Sequence, residues 1–178
     1  YPHGQVFPNY LKNKKKYSKY YGAQIFRLPV VPRKSSNKFW LFFNYISFVI
    51  SGIFIGPFLL RKRKYDAIFT FATSPITVAL LSNYISKIKK TKSFLWVLDY
   101  WPEILRELKI INNRFVYYII NIMVKKIYND TDYIFAQSKS FVSFIKEKID
   151  DHNKVNYLPA WSELLKKKGK IKLKKNKI

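Results

Sequence analysis

Few side chains in this sequence are suited to chemistry, and three of them occupy comparable places. Asp99 closes the apolar run "SFLWVL" and stands immediately before Tyr100, Trp101 and Pro102. Ser74 follows "IFTFAT" and Ser138 follows "IFAQ". A carboxylate at the end of a buried strand can be a catalytic group, a helix cap or a structural acid. Pro102 lies three residues further on and Glu103 falls in the first turn of whatever follows, so capping is open to Asp99. For the serines, capping is the ordinary role, because helix starts favour a hydroxyl that accepts from the backbone. The two histidines, His3 in "YPHGQVFPNY" and His152 in "DDHNK", sit in loop-like stretches where solvation is the usual outcome.

Other chemistries are absent from the sequence. There is no Gly-x-Gly-x-x-Gly, no Walker loop, no His-Glu-x-x-His and no zinc-spaced cluster. The chain has no cysteine, which excludes disulfides and thiolate sites and fits a reducing compartment.

Those three residues need a scaffold, and the order of elements supplies one. Apolar, β-rich runs occur at 23–30, 66–72, 93–98, 132–138 and 154–159. They are continuous rather than alternating, as parallel strands buried on both faces are. Between them, 75–86, 113–128 and 138–149 carry helical spacing with Ser-Pro or serine starts. This alternation predicts an α/β fold, a Rossmann-like, doubly wound, mostly parallel sheet with helices on both faces. In such sheets ligands bind at the carboxyl ends of the strands, where Ser74, Asp99 and Ser138 fall.

One segment interrupts this rhythm. The 22 residues from Phe39 to Leu60 carry no charge, with Arg33, Lys34 and Lys38 before them and "RKRK" after. As a helix they measure about 33 Å, enough to cross a bilayer core. Asn44, Ser47, Ser51, Gly52 and Gly56 dilute the run, and Pro57 is expected to break or kink its last turn. A core or surface-seated helix with basic ends near anionic headgroups is therefore the expectation, rather than a spanning one.

With 178 residues, 48% hydrophobic, the chain suits one compact domain. Its formal charge is +24, a balance associated with nucleic acid, anionic membrane or phosphorylated ligands. Of 34 basic residues, eight are lysines in "KKKGKIKLKKNKI", and against 10 acidic residues the remainder is still +16. The aromatics lie mostly inside apolar runs, where core packing explains them better than base stacking, so no specific nucleic-acid partner is expected.

Five segments in order resemble the amino-terminal half of bacterial family 4 glycosyltransferases of the GT-B fold, in the O-antigen, capsule and colanic-acid branch. They are "YPHGQVFPNY", "FNYISFVISG", "YDAIFTFATSPIT", "LWVLDYWPEIL", and "IYNDTDYIFAQSKSFVSFI" with "KVNYLPAW". The resemblance implies a retaining transfer of a sugar from a nucleotide sugar to a polyprenyl-diphosphate-linked glycan acceptor, in lipopolysaccharide or exopolysaccharide biosynthesis. It implies no metal and no cofactor, the nucleotide sugar being the donor substrate. The location it implies is cytoplasmic, peripheral on the inner face of the plasma membrane, with the basic body and the 39–64 segment on anionic lipid.

Within that resemblance residues 1–161 are the acceptor-side domain and 162–178 a lysine-rich, disordered tail. The usual first strand, expected before "YPHG", and the donor-binding domain, expected after Trp161, do not occur in the sequence. The expectation is therefore a half-enzyme that does not transfer sugar alone, with a membrane-surface or split-enzyme subunit as the alternative. Asp99 is implied as the group that orients or deprotonates the acceptor hydroxyl. His3 and Gly4 are implied near the reacting centre, and Ser74 and Ser138 as hydrogen-bond donors to sugar or diphosphate oxygens.

Overall fold

A computed structural model describes residues 8, 12–13, 18–34 and 37–160. The implied residues His3 and Gly4 and the lysine-rich tail lie outside these.

The described chain opens on a small antiparallel hairpin of β1 (Lys19–Tyr20) and β2 (Ala23–Gln24). Tyr21 and Gly22 join them with φ of 43° and 83°, the left-handed pair that a two-residue turn matching strand twist needs. The strand expected over 23–30 is thus confined to two residues. Beyond it the backbone finds helical side chains instead of a ladder: Val31 N–H donates to Ser47 Oγ at 2.9 Å, and Asn44 Nδ2 donates to Val31 O at 2.6 Å.

Helix α1 (Lys38–Leu60) starts where Asn37 accepts from Phe39 N–H at 3.1 Å. It continues three residues past Pro57, which therefore does not end it. Ser47 and Ser51 donate back to the carbonyls of Asn44 and Phe48, which satisfies hydroxyls inside an otherwise apolar run. The carboxyl end is capped from outside, because Lys89 Nζ donates to Leu60 O at 2.5 Å and Arg63 O at 2.9 Å.

The body then alternates strand and helix: β3 (Ala67–Ala72), α2 (Val78–Lys89), β4 (Lys92–Val97), α3 (Glu103–Glu107), α4 (Arg114–Asp130), β5 (Tyr133–Ala136), α5 (Lys139–Lys146), a 3₁₀ turn (His152–Lys154) and β6 (Val155–Tyr157). The four strands form one parallel sheet in the order β3-β4-β5-β6. The fold is the α/β, Rossmann-like parallel sheet flanked by helices that the element order predicts, except that α2, α4 and α5 pack on one face of it rather than on both.

Right-handed crossovers between strands that follow one another in sequence place their helices on the same face. The burial agrees. Ala72, Leu95, Val97, Ile134, Ala136 and Val155 point into one core with Ala79, Val124, Ile127, Tyr128 and Ile145. Each fully buried Leu, Ile or Val there contributes about 1.5–3 kcal/mol. Asn83, 6% exposed, ties α2 to the end of α4 by donating to Ile127 O at 3.0 Å and Thr131 Oγ1 at 3.1 Å. At the amino end, Asp132 accepts from Ser93 N–H at 2.9 Å and Ser93 Oγ at 3.0 Å, which locks β5 to β4.

The opposite sheet face carries Phe69, Phe71, Phe94, Trp96, Tyr133 and Phe135, in register and in ring contact across the strands. Phe69, Phe71 and Tyr133 are exposed, so the expectation that strand aromatics lie in the core is corrected here. A continuous apolar run does not reveal which of its two faces is covered. Trp96 alone is buried on this side, because Phe69 and Phe71 flank it and its Nε1 donates to Leu158 O at 3.0 Å.

Candidate functional site

The register between β3 and β4 sets the site. Ala72 pairs with Val97, and Leu98 N–H still donates to Ala72 O at 3.2 Å before the strands part. Two residues beyond that last pair, at the same offset, stand Ser74 and Asp99. Ser74 Oγ donates to Asp99 Oδ2, and Trp101 Nε1 donates to Ser74 Oγ at 3.3 Å. The hydroxyl thus serves as donor and acceptor at once, which fixes its proton on the Asp99 side.

Both capping expectations for this pair are overturned. The residue at the start of α2 is Thr77, whose side chain makes no capping bond, because Pro75 to Thr77 form a turn that carries Ser74 out of reach. The start of α3 is Pro102, and Asp99 is held apart from it by the turn that Trp101 N–H makes to Asp99 O at 3.0 Å. Asp99 is half-buried and Ser74 is exposed.

Ser138 behaves as the sequence's ordinary reading has it. It accepts from Phe141 N–H at 3.2 Å as the cap of α5 and lies 2.9 Å from Ser140 Oγ. Ser138 shares no hydrogen bond with the Ser74–Asp99 pair. The residue next to it does reach toward the pair: Gln137 Nε2 donates to Leu98 O at 2.6 Å, bracing the end of β4.

Beneath Asp99 the backing is aromatic and ionic. Trp101 is 7% exposed, and the Tyr100 ring lies 3.6 Å from that of Phe144. Glu103, expected only as a first-turn acid, instead accepts from Lys148 Nζ and Tyr117 Oη, both at 3.0 Å, and so pins α3 to α4 and to the chain after α5. Burial, then the carboxylates of Glu103 and Glu147, push the Tyr100 hydroxyl above its ordinary range and keep it protonated beside Asp99.

In front of Ser74 a cleft of about 400 Å³ opens between the β3–α2 loop and the first half of α1. Val30, Pro32, Phe48 and Val78 supply apolar wall, while Arg33, Asn44, Tyr45 and Thr77 supply polar groups. Arg33 Nη2 donates to Tyr45 Oη at 3.2 Å, and Thr77 Oγ1 is buried without a partner among the described residues. A size of this order and a few convergent polar groups on an apolar wall suit a small organic ligand. A second depression of about 450 Å³ lies at the amino ends of the strands around Lys92, Asp132 and Lys154. Its charged groups are consumed internally: Lys92 holds Asp132 at 2.7 Å, and Lys154 caps the carbonyls of Asn129 and Thr131. The cleft at the carboxyl end, by contrast, is lined by Ser74, the hydroxyl partner of Asp99.

Trp101 and Gln137 are parts of this site that the sequence reading passed over. The signal for Trp101 was present in "DYWP", because a buried indole N–H requires an acceptor. Nothing in the sequence marked Gln137. No protein-family model, no curated protein and no solved structure matches the chain.

Proposed function

We propose that the chain is the acceptor side of a sugar transferase, with Asp99 positioning the attacking hydroxyl. The single observation that supports this is the Ser74–Asp99 pair at the carboxyl ends of adjacent strands, whose Ser74 lines a ligand-sized cleft. The Ser74 hydroxyl occupies one acceptor site of Asp99, on Oδ2. A sugar hydroxyl entering from the cleft takes over that contact, with Ser74 rotating to donate to the sugar. As the acceptor oxygen bonds to the anomeric carbon, the bond to the nucleoside diphosphate breaks, the diphosphate leaves with its electron pair, and the proton passes to Asp99. General-base assistance of this kind is worth about 10²–10⁴-fold.

In this reading Arg33, Asn44 and the Thr77 hydroxyl take the phosphate oxygens or hydroxyls of a lipid-diphosphate-linked glycan. The nucleotide sugar is held by a donor-binding unit across the cleft, in the same polypeptide or another. Transfer occurs at the cytoplasmic face of the membrane and retains the anomeric configuration, the acceptor oxygen attacking on the same face from which the diphosphate leaves. The test is equilibrium binding of a short-chain polyprenyl-diphosphate sugar to the whole chain, followed by turnover in a transferase assembled with a donor-binding unit. Asp99→Asn should leave acceptor binding within a few-fold and cut turnover by about 10²–10⁴. Full turnover by the variant, or no acceptor binding by the parent chain, refutes the assignment.

A further inference from the structure

We infer that α1 is an in-plane membrane anchor whose outer face lies in the boundary layer of an anionic phospholipid bilayer. This goes beyond sugar transfer and does not depend on it. By length and composition the segment Phe39–Leu60 is able to cross a membrane, yet the structure holds one of its sides firmly to protein. Gly52 lets α2 approach so closely that a Cβ there would meet Leu81 Cδ2 at 2.5 Å, while one on Gly56 would make ordinary contact with Ile85 Cδ1 at 3.4 Å. Asn44 and Ser47 bond the Val31 backbone, and Lys89 holds the carboxyl end. A helix fixed by its first half to Val31 and by its second half to α2, which carries Lys87, Lys89 and Asn83, does not stand across a bilayer without taking that helix with it.

The other side is bare. Phe39, Phe43, Ile46, Ile50, Phe54 and Phe58 recur every three or four residues and make one exposed stripe, with Phe54 77% exposed. Surfaces of this kind are covered in use. The charge around it selects the cover: residues 1–65 contain 13 basic side chains and no acidic one. Arg33 and Lys34 stand before the helix and Arg61, Lys62, Arg63 and Lys64 after it, all exposed. An apolar stripe between two cationic ends matches a layer that is apolar below and negatively charged above, and a helix about 34 Å long lies along it. An ordinary protein partner offers the apolar half of that match without the continuous negative plane.

Sedimentation of the whole chain with phosphatidylcholine vesicles, with and without phosphatidylglycerol, tests this. Binding should require phosphatidylglycerol and weaken as salt rises. Lys62→Gln with Lys64→Gln should weaken it by about 25-fold, roughly fivefold for each charge. Phe54→Asp should weaken it by at least about tenfold. All three side chains are exposed, and unchanged circular dichroism and melting would confirm that the fold is intact. The inference is overturned if the parent chain does not sediment, if Phe54→Asp binds as the parent does, or if bound protein resists alkaline extraction as a spanning helix would. A dimer in solution that Phe54→Asp dissolves would also overturn it, by making a second copy the occupant. Loss of transfer in Asp99→Asn with vesicle binding retained would concern the site alone.

Discussion

Replacing Asn83 by Asp keeps its volume and reverses its hydrogen-bonding sense, which makes it a sharp test of how α2 is held. In the native chain the amide donates to Ile127 O and to Thr131 Oγ1, while the Thr131 hydroxyl also reaches Ile127 O at 2.8 Å. Truncation by Asn83→Ala removes two donated bonds at about 1 kcal/mol each, yet orphans no acceptor, since Thr131 still serves Ile127. With a small void added, the expected loss is about 2–3 kcal/mol. In Asn83→Asp the single amide nitrogen that makes both bonds becomes an oxygen facing the oxygens of Ile127 and Thr131, and only the Thr131 hydroxyl remains to donate. A carboxylate buried there costs about 3–5 kcal/mol at neutral pH. Burial raises the folded-state pKa of the new carboxyl above its unfolded value near 4, so the penalty falls as pH drops. The protonated form regains a donor to Ile127 O. The deficit relative to the parent should therefore shrink by about 1.4 kcal/mol for each unit that the folded pKa is raised, within the interval from that pKa down to about 4. Urea unfolding followed by tryptophan fluorescence, in parent and variant at pH 7 and pH 5, measures it. A deficit below 1 kcal/mol, or one of any size that is the same at both pH values, would refute the account of Asn83 as a buried donor.

Tyr128 and Asp132 give two further tests of the core. Tyr128 is fully buried, its hydroxyl has no partner among the described residues, and burial pushes its pKa far up. Tyr128→Phe should therefore be neutral or stabilising by up to about 1 kcal/mol, read as a shift in urea midpoint. Burial alone would push the Asp132 carboxyl up, but the bonds from Lys92 and Ser93 overcome this and leave it below its ordinary value. The stabilisation from a depressed carboxyl is present above the unfolded pKa near 4 and lost as pH falls through the folded one. Asp132→Asn should lower the melting temperature at pH 7, and the difference from the parent should vanish in acid as pH falls through the depressed pKa of the folded carboxyl.

The sheet was legible in the sequence because each strand is an uninterrupted run of β-branched and aromatic residues between polar turns. The same feature misled over 23–30, where only Ala23 and Gln24 pair as a strand, and just beyond it Val31 gives its N–H to Ser47 and its carbonyl to Asn44 of α1. It also hid the division of each strand into a covered and a bare face, which only register resolves. The sites of Ser74 and Asp99 could be located, whereas their pairing could not. The two lie 25 residues apart, and their meeting depends on the alignment of Ala72 with Val97. Ser138 was read correctly as a cap because that bond is local and set by residue type. Glu103 was readable as an acid in a first turn, but its partner Lys148 lies 45 residues away and nothing nearby announced it.

The order β3-β4-β5-β6 has a consequence for how the protein comes into being. Each strand emerging from the ribosome finds its neighbour already made, and the helix between them is complete before the next pairing is needed. No strand has to wait for a later one to separate it from the wrong companion, and successive loop closures stay short. The last tie is the one from Trp96 to Leu158, across 62 residues. That indole is the internal clock of the process: its ring is flanked by Phe69 and Phe71 as soon as β3 and β4 pair, while its N–H finds the Leu158 carbonyl only after β6 arrives.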